Sequence, residues 1–312
     1  MRIVRKAYER PWWGGVALGA AALLLISLVS AGCAAGESSA SLENAAPGRL
    51  SDPARDLAAG TERLRRSEAA RLAVARKWGL DRPPLLPPDP PAVKPTPSTP
   101  TYLQRSGSDE GGAVPAGLPV VVNQVPTTDR VVFLTIDDGD HKDPELLQML
   151  SELQVPVSAF LTHSEARSDY GYFRQLRRLG MGVNNHTLNH RQLSALPYAE
   201  QRREICGQQE NLEREIGVRP ELFRPPYGDY NLDTLRAAAS CGVKVLPLWT
   251  EEAFPDRMEY AEAGGRLLPG DIILTHFRGP ADWRGTMPDV VRRVLRTATE
   301  QGFAVARIED YL

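Results

Sequence analysis

Val131-Val132-Phe133-Leu134-Thr135-Ile136-Asp137-Asp138-Gly139 decides how this chain is read. A β-rich apolar run stops abruptly at two carboxylates and a glycine. Similar runs follow at 157–161, 181–185, 222–223, 243–248, 271–275 and 303–306. Between them, 143–153, 170–180, 198–217, 232–241 and 288–301 carry the apolar spacing and length of helices. Strand–helix alternation implies parallel strands joined by crossover helices, in a small barrel or an open doubly wound sheet. The polar residues choose between these. Asp137-Asp138, His186, Arg224, Trp249 with Glu251-Glu252, and His276 each follow directly after a strand run. In α/β barrels the active site lies at the C-terminal strand ends. The expected fold class is therefore α/β, a distorted (β/α) barrel of about seven parallel strands.

The same residues point to chemistry. Asp137 and Asp138 are adjacent, and successive side chains of a strand point in different directions. One carboxylate can therefore bind a metal while the other faces substrate. Gly139 permits the sharp turn that follows. His186 and His190 are spaced i, i+4, which in a helical turn puts both imidazoles on one face, able to hold one ion. Two histidines and one carboxylate leave open positions for water and substrate, as a catalytic metal site requires. Arg224-Pro225-Pro226-Tyr227-Gly228 is stiff, because proline fixes its own φ and restricts the residue before it. Such a loop can aim a backbone N–H at an oxyanion; proline has none, so Tyr227 is the first candidate. Arg224 can pair with a carboxylate. His276, at the end of the apolar run Ile272-Ile273-Leu274-Thr275, is the natural general acid. Three of the five histidines fall in this set; His141 and His163 read as structural or peripheral.

The rest of the 312 residues bounds the setting. A net charge of -2 and the lack of a basic domain argue against nucleic acid as a partner. Arg2, Arg5, Lys6 and Arg10 precede an uncharged run, 16–30, that ends in Ser30-Ala31-Gly32-Cys33. This is the pattern of an export signal, 1–32. Cys33 after Ala-Gly resembles a bacterial lipobox, in which it is lipidated; an uncleaved membrane helix over 14–32 and a plain cleaved signal are the alternatives. All three put the remainder outside the cytoplasm, tethered to the membrane in the first two. There Cys206 and Cys241 can pair as a disulfide or stay as buried thiols. Residues 33–117 form an Ala/Pro-rich, low-complexity linker, largely disordered, with a candidate helix at 52–79. Nine prolines within 83–100 favour an extended conformation, with a reach of roughly 55 Å at ~3 Å per residue. The catalytic domain is placed at 118–312, as a monomer.

The motifs together resemble the polysaccharide deacetylase family, carbohydrate esterase family four, also called the NodB homology domain. Its Thr-Phe-Asp-Asp-Gly appears as Thr135 to Gly139, with Ile136 in place of Phe. Its His-Ser/Thr-x-x-His appears as His186 to His190. Its Arg-Pro-Pro-Tyr/Phe-Gly is Arg224 to Gly228, and its Leu-x-His is Leu274 to His276. The family's fourth motif, Asp-x-x-Asp-Trp, is not recognisable; Trp249 to Asp256 lies there instead, with Glu252 or Asp256 as candidates for the acid that tunes His276. The resemblance implies one divalent metal, Zn²⁺ by preference and Co²⁺ or another by alternative, on Asp138, His186 and His190. It implies Asp137 as base, His276 as acid, the Tyr227 N–H at the oxyanion, and a groove lined by Arg224, Trp249 and Leu274. The implied substrate is an N-acetylated polysaccharide, peptidoglycan or chitin-like. An O-acetyl esterase and a catalytically weakened sugar-binding wall lipoprotein are the other readings.

Overall fold

A computed structural model describes residues 53–96, 117–261 and 264–312, with the backbone alone for 53–56. The expected signal or anchor, 1–32, the lipidation candidate Cys33 and the outer parts of the expected linker, 33–52 and 97–116, lie outside the described residues. The chain divides into two units, 1–63 and 64–312. Of the first, only the start of helix α1, Pro53–Lys77, is described. No helix among the described residues is long and apolar enough to cross a membrane.

The second unit is built around β2, Val131–Asp138, in which every residue is buried. Its side chains alternate between two environments. Val132, Leu134 and Ile136 join one apolar cluster with residues of α2 (Pro144–Leu153), α4 (Tyr170–Arg178) and α7 (Met287–Glu300). Val131 and Phe133 join a second with Phe160, Ile272, Ala304 and Tyr311. Thr135 and Asp137 continue that second face, which thus passes from apolar to polar towards the strand's C-terminal end. Each fully buried Phe, Ile or Leu stabilises by about 1.5–3 kcal/mol, so this register strongly favours placing Asp137 at the polar end.

Parallel neighbours flank β2 throughout. β3 (Ser158–Leu161) pairs with Thr135–Asp138, and β8 (Ile272–His276) with Phe133–Asp137. β9 (Ala304–Ala306) pairs with Val131–Phe133. The seven-stranded sheet runs β4-β3-β2-β8-β6-β7, with β9 on β2. Here β4 is Gly182–Asn185, β6 is Glu251–Ala253 and β7 is Met258–Tyr260, which joins antiparallel. A two-stranded parallel sheet holds β1 (Val120–Val122) and β5 (Val245–Pro247). Single bridges link Asn185 to Phe223 and Leu222 to Val245. The chain is thus α/β with parallel strands. The expected strand at 222–223 is reduced to those bridges, and β1, β6 and β7 add three short strands that the apolar-run criterion passed over.

Helix boundaries follow local caps. Asp143 accepts the Glu145 N–H at the start of α2, and Asp169 the Tyr172 N–H at the start of α4. Capping boxes start α6 (Leu232–Ser240) at Asn231 with Thr234, and α7 at Thr286 with Asp289. α3 (His163–Ala166) is one turn, and α5 is Tyr198–Ile216.

The segment expected as linker contains more order than its composition suggested. α1 matches the expected helix, but its C-terminal end packs into the catalytic core: Ala75, Trp78 and Leu80 are buried there. The Trp78 indole donates to Glu152, and Arg292 and Arg296 donate to the carbonyls of Trp78 and Gly79. Pro87, Pro88 and Pro90 line one cavity with Pro156, Ala306 and Tyr311, and Lys94 donates to the Leu312 carbonyl. Apolar side chains at the helix end supply the burial that a flexible tether lacks. Cys206 and Cys241 form a disulfide that ties α5 to the end of α6.

Candidate active site

The register of the central strands assembles the site. Asp137 lies opposite His276 on β8 and opposite Phe160 on β3, while Leu161 pairs with both Asp138 and Asn185. Asp137, Asp138, His186 and His276 therefore converge at the C-terminal ends of β2, β4 and β8.

Asp138 has φ 76°, a left-handed conformation rare outside glycine. That twist overrides the alternation of an extended strand, so both carboxylates face one cleft. The His186 Nε2 is 3.6 Å from Asp137 Oδ2 and 3.7 Å from Asp138 Oδ1. Gly139 carries the chain onward at φ 95°, where a Cβ would come within 3.0 Å of Phe173 and 3.1 Å of Leu161.

His186 and His190 do converge, but not on a helical turn as expected. The segment is a loop in which Thr187 (φ 76°) and His190 (φ 53°) are left-handed. The Asn185 side chain receives the Thr187 N–H, and Thr187 Oγ1 receives the His190 N–H. These bonds hold a backbone conformation that costs of order 1–3 kcal/mol per non-glycine residue. The His190 Nε2 stands 3.3 Å from Asp138 Oδ1, and the three candidate ligand atoms lie within 4.8 Å of one another.

This trio fits a divalent cation. Asp138 Oδ1 is buried and has no hydrogen-bond partner among the described residues, a costly arrangement unless something else satisfies it. The His186 Nδ1 donates to the Arg224 carbonyl at 2.7 Å, which fixes the tautomer and leaves Nε2 as a lone pair aimed at the trio. Burial pushes the His186 imidazole down to about 3, so it is neutral at pH 7, as a ligand must be. The His190 Nδ1 lies 3.2 Å from the Tyr227 hydroxyl. For Asp138, burial acts upward, but His186, His276, His190 and Arg278 outweigh it and hold the carboxyl below its ordinary value.

Asp137 is held differently. Arg224, fully buried, donates Nη1 to Asp137 Oδ1 at 2.7 Å and to Thr135 Oγ1 at 2.9 Å. Its Nε and Nη2 reach the carbonyls of Pro247 and Leu248, and its guanidinium stacks over Phe160. Thr135 and Asp137 are two apart on one strand face, which is why one guanidinium nitrogen can serve both. Burial pushes the Asp137 carboxyl above its ordinary value; Arg224 and His276 offset that only in part.

His276 faces the cleft from β8. Burial lowers its imidazole below the ordinary value, against the pull of Asp138 and Asp137. Of the two acids considered for its partner, the structure places Glu252 beside it, Oε1 at 3.7 Å from Nδ1. Asp256 lies elsewhere: its side chain is exposed in the β6–β7 turn and pairs with Arg257. Glu252 is raised to about 7 by burial, with Glu259 and Asp137 adding to it. Tyr227 sits left-handed between Pro226 and Gly228, half exposed, its ring edge-on to His190. Gly228 is required there because a Cβ would come within 3.1 Å of Trp249. Leu274 is buried two residues before His276, on the same strand face. His163 bonds Tyr170, and His141 packs against Gly279.

Three contributors escaped the sequence reading. Arg278 donates Nη2 to Asp138 Oδ2 at 2.7 Å; its place two residues after His276 was the available signal. Glu204 grips the loop between the histidines from α5, and nothing in the sequence announces it. Thr135 opens the Asp-Asp-Gly motif but carries no role in the sequence; in the structure its hydroxyl accepts from Arg224.

An α/β domain with an Asp-His-His trio, a buried Asp–Arg pair and a histidine at one end of its parallel strands is the class of fold and site defined here. The sequence profile of the polysaccharide deacetylase family matches residues 124–246. An uncharacterized protein of Streptomyces coelicolor is 45% identical over 196 residues, covering 62% of this chain and 78% of that protein. A chitooligosaccharide deacetylase of Sinorhizobium fredii is 30% identical over 166 residues, covering 48% and 74%. The crystal structure of a peptidoglycan N-acetylglucosamine deacetylase superposes with a TM-score of 0.55 at 22% identity, covering 62% of this chain and 92% of that one. The chain belongs to the polysaccharide deacetylase family, carbohydrate esterase family four.

Proposed function

We propose that the protein is a metal-dependent hydrolase that removes N-acetyl groups from amino sugars in a polysaccharide of peptidoglycan or chitin type. The observation that carries this reading is the buried Asp138 Oδ1, which lies between two imidazoles with no hydrogen-bond partner among the described residues, flanked by a second carboxylate and a third histidine. A divalent cation held by Asp138, His186 and His190 supplies Lewis-acid polarisation and makes water acidic near neutral pH. Asp137, its Oδ1 bonded by Arg224, accepts the proton of the attacking water. The Tyr227 N–H faces the developing oxyanion. His276, oriented by Glu252, protonates the departing sugar nitrogen. Acetate leaves and the sugar keeps a free amine.

The pairing path β4-β3-β2-β8-β6, continued by the bridges through Phe223 and Leu222 to β5, supports a distorted barrel as the scaffold. The N-terminal sequence supports an extracytoplasmic lipoprotein or signal-anchored form. Lipid labelling of the wild type against Cys33→Ser tests it: labelling that survives the substitution removes lipidation at Cys33.

The activity is tested with the purified protein, by acetate release from peptidoglycan, chitin oligomers and acetylated xylan with Zn²⁺, Co²⁺ or a chelator. Release from an N-acetylated polymer, abolished by chelation, is the expected result. Release from xylan alone makes the enzyme an O-acetyl esterase, and sugar binding without release makes it a binding protein.

A further inference from the structure

The histidine loop is anchored unevenly. His186 is fixed to the sheet, its N–H donating to the Leu161 carbonyl. His190 lies four residues on, in the left-handed region and outside any strand or helix. One turn of α5 grips that distal half, alongside the Ser164 N–H, which donates to the Leu188 carbonyl, the Thr187 Oγ1, which accepts the His190 N–H, and the Tyr227 hydroxyl at His190 Nδ1. The Glu204 carboxylate accepts from the Asn189 backbone N–H at 2.9 Å and from its side-chain amide at 2.8 Å. The Glu204 carbonyl receives the Leu188 N–H. One residue on, the Ile205 carbonyl accepts from the Asn185 side chain, which also bonds Gln209. Gly207 leaves room for Leu188, whose side chain would lie 2.7 Å from a Cβ placed there. Cys206, on the same turn, is covalently tied to Cys241.

Glu204 is 1% exposed. Burying a carboxylate is expensive unless it is well bonded, and its acceptor capacity is turned on the residue next to His190. We infer that Glu204 is a positioning residue for His190, setting the left-handed turn that aims its Nε2 at Asp138. The inference rests on the reading of Asp138, His186 and His190 as metal ligands. It assigns Glu204 no contact with metal or substrate; it acts through Asn189 on the loop. Outer partners of this kind change metal affinity by ~10–100-fold when removed.

The test compares wild type with Glu204→Ala, Glu204→Gln and Asn189→Ala. It measures the Zn²⁺ dissociation constant by competition with a chelating dye, and amide hydrogen exchange of residues 187–191 in metal-free protein. Glu204→Ala is expected to weaken Zn²⁺ binding by ~10–100-fold and to speed exchange in the loop. Glu204→Gln keeps an acceptor for the Asn189 N–H and is expected to retain most of the affinity. Should Glu204→Ala not fold, the exposed position Asn189 decides, with Asn189→Ala losing affinity and protection in the same direction. A folded Glu204→Ala or Asn189→Ala with affinity within about twofold of wild type and unchanged exchange overturns the assignment. A lower melting temperature with both readouts unmoved likewise overturns it, marking Glu204 as structural only. A wild type that binds no Zn²⁺ refutes the metal reading instead, and loop exchange alone then decides the role of Glu204.

Discussion

Replacing Arg224 with methionine tests the central pair of the site. Methionine keeps most of the apolar volume against Phe160 and removes the guanidinium. Four bonds are lost, to Asp137, Thr135, Pro247 and Leu248. Removing one member of a buried ion pair costs about 3–5 kcal/mol, because the other charge is left uncompensated. Two orphaned carbonyls add to this, and water entering the gap subtracts from it. At roughly 2–4 °C per kcal/mol for a domain of this size, the melting temperature should fall by roughly 10 °C at pH 8. The loss depends on pH with a definite sign. Arg224 lowers the Asp137 carboxyl against the upward push of burial, so its removal raises that carboxyl further. The pair contributes stability where Asp137 is ionised, and the contribution fades as pH falls and the carboxyl protonates. Melts of wild type and variant in chelator should therefore converge from pH 8 towards pH 4. In the metal-loaded enzyme the acid limb of kcat/KM should move to higher pH, since Asp137 must be ionised to accept a proton. A melting temperature within about 3 °C of wild type at pH 8, or a difference independent of pH, refutes the argument that the buried pair holds Asp137 ionised.

Asp137→Asn should keep metal while turnover falls by ~10²–10⁴-fold, whereas His190→Ala should lose metal, both read by metal analysis and acetate release; a near-normal rate for Asp137→Asn sinks its role as base. Glu252→Gln should stabilise the metal-free protein by up to about 3 kcal/mol at pH 8 and by almost nothing at pH 4. The reason is that the carboxyl is raised from 4.5 to about 7, so its favourable contribution is present below 4.5 and lost as pH rises through 7. Cys206→Ser with Cys241→Ser, opening a loop with a sequence separation of 35, should cost roughly 3–4 kcal/mol in denaturant unfolding. Trp78→Ala should cost about 3–5 kcal/mol, which a merely tethered linker would not show.

Much of this protein is legible in sequence because local rules suffice for it. Largely apolar runs mark β2, β3 and β8, since a strand covered on both faces offers few polar positions. Caps such as Asn231 and Thr286 set helix starts through bonds to residues three apart. Asp137, Asp138, His186, His190 and His276 stand out because metal and proton-transfer chemistry uses few residue types. The short strands β6 and β7 were missed because they are mostly polar and owe their order to pairing, β6 with β8 and β7 with β6. The buried end of α1 was missed because a helix rich in alanine and arginine gives no sign of what its last turn will meet.

The sequence by itself determined the strand–helix alternation and the set of reactive side chains. Tertiary structure alone decided how that set is aimed. Left-handed backbone at Asp138 and His190 brings both carboxylates and both imidazoles into one cleft, where strand alternation and helical spacing would have placed them otherwise. That conformation is unfavourable locally and persists because Arg278, Arg224 and Glu204 hold the segments from other parts of the chain. The placement of Glu252, and not Asp256, beside His276 has the same origin: Glu252 lies on β6, which pairs with β8, whereas Asp256 falls in the turn beyond it.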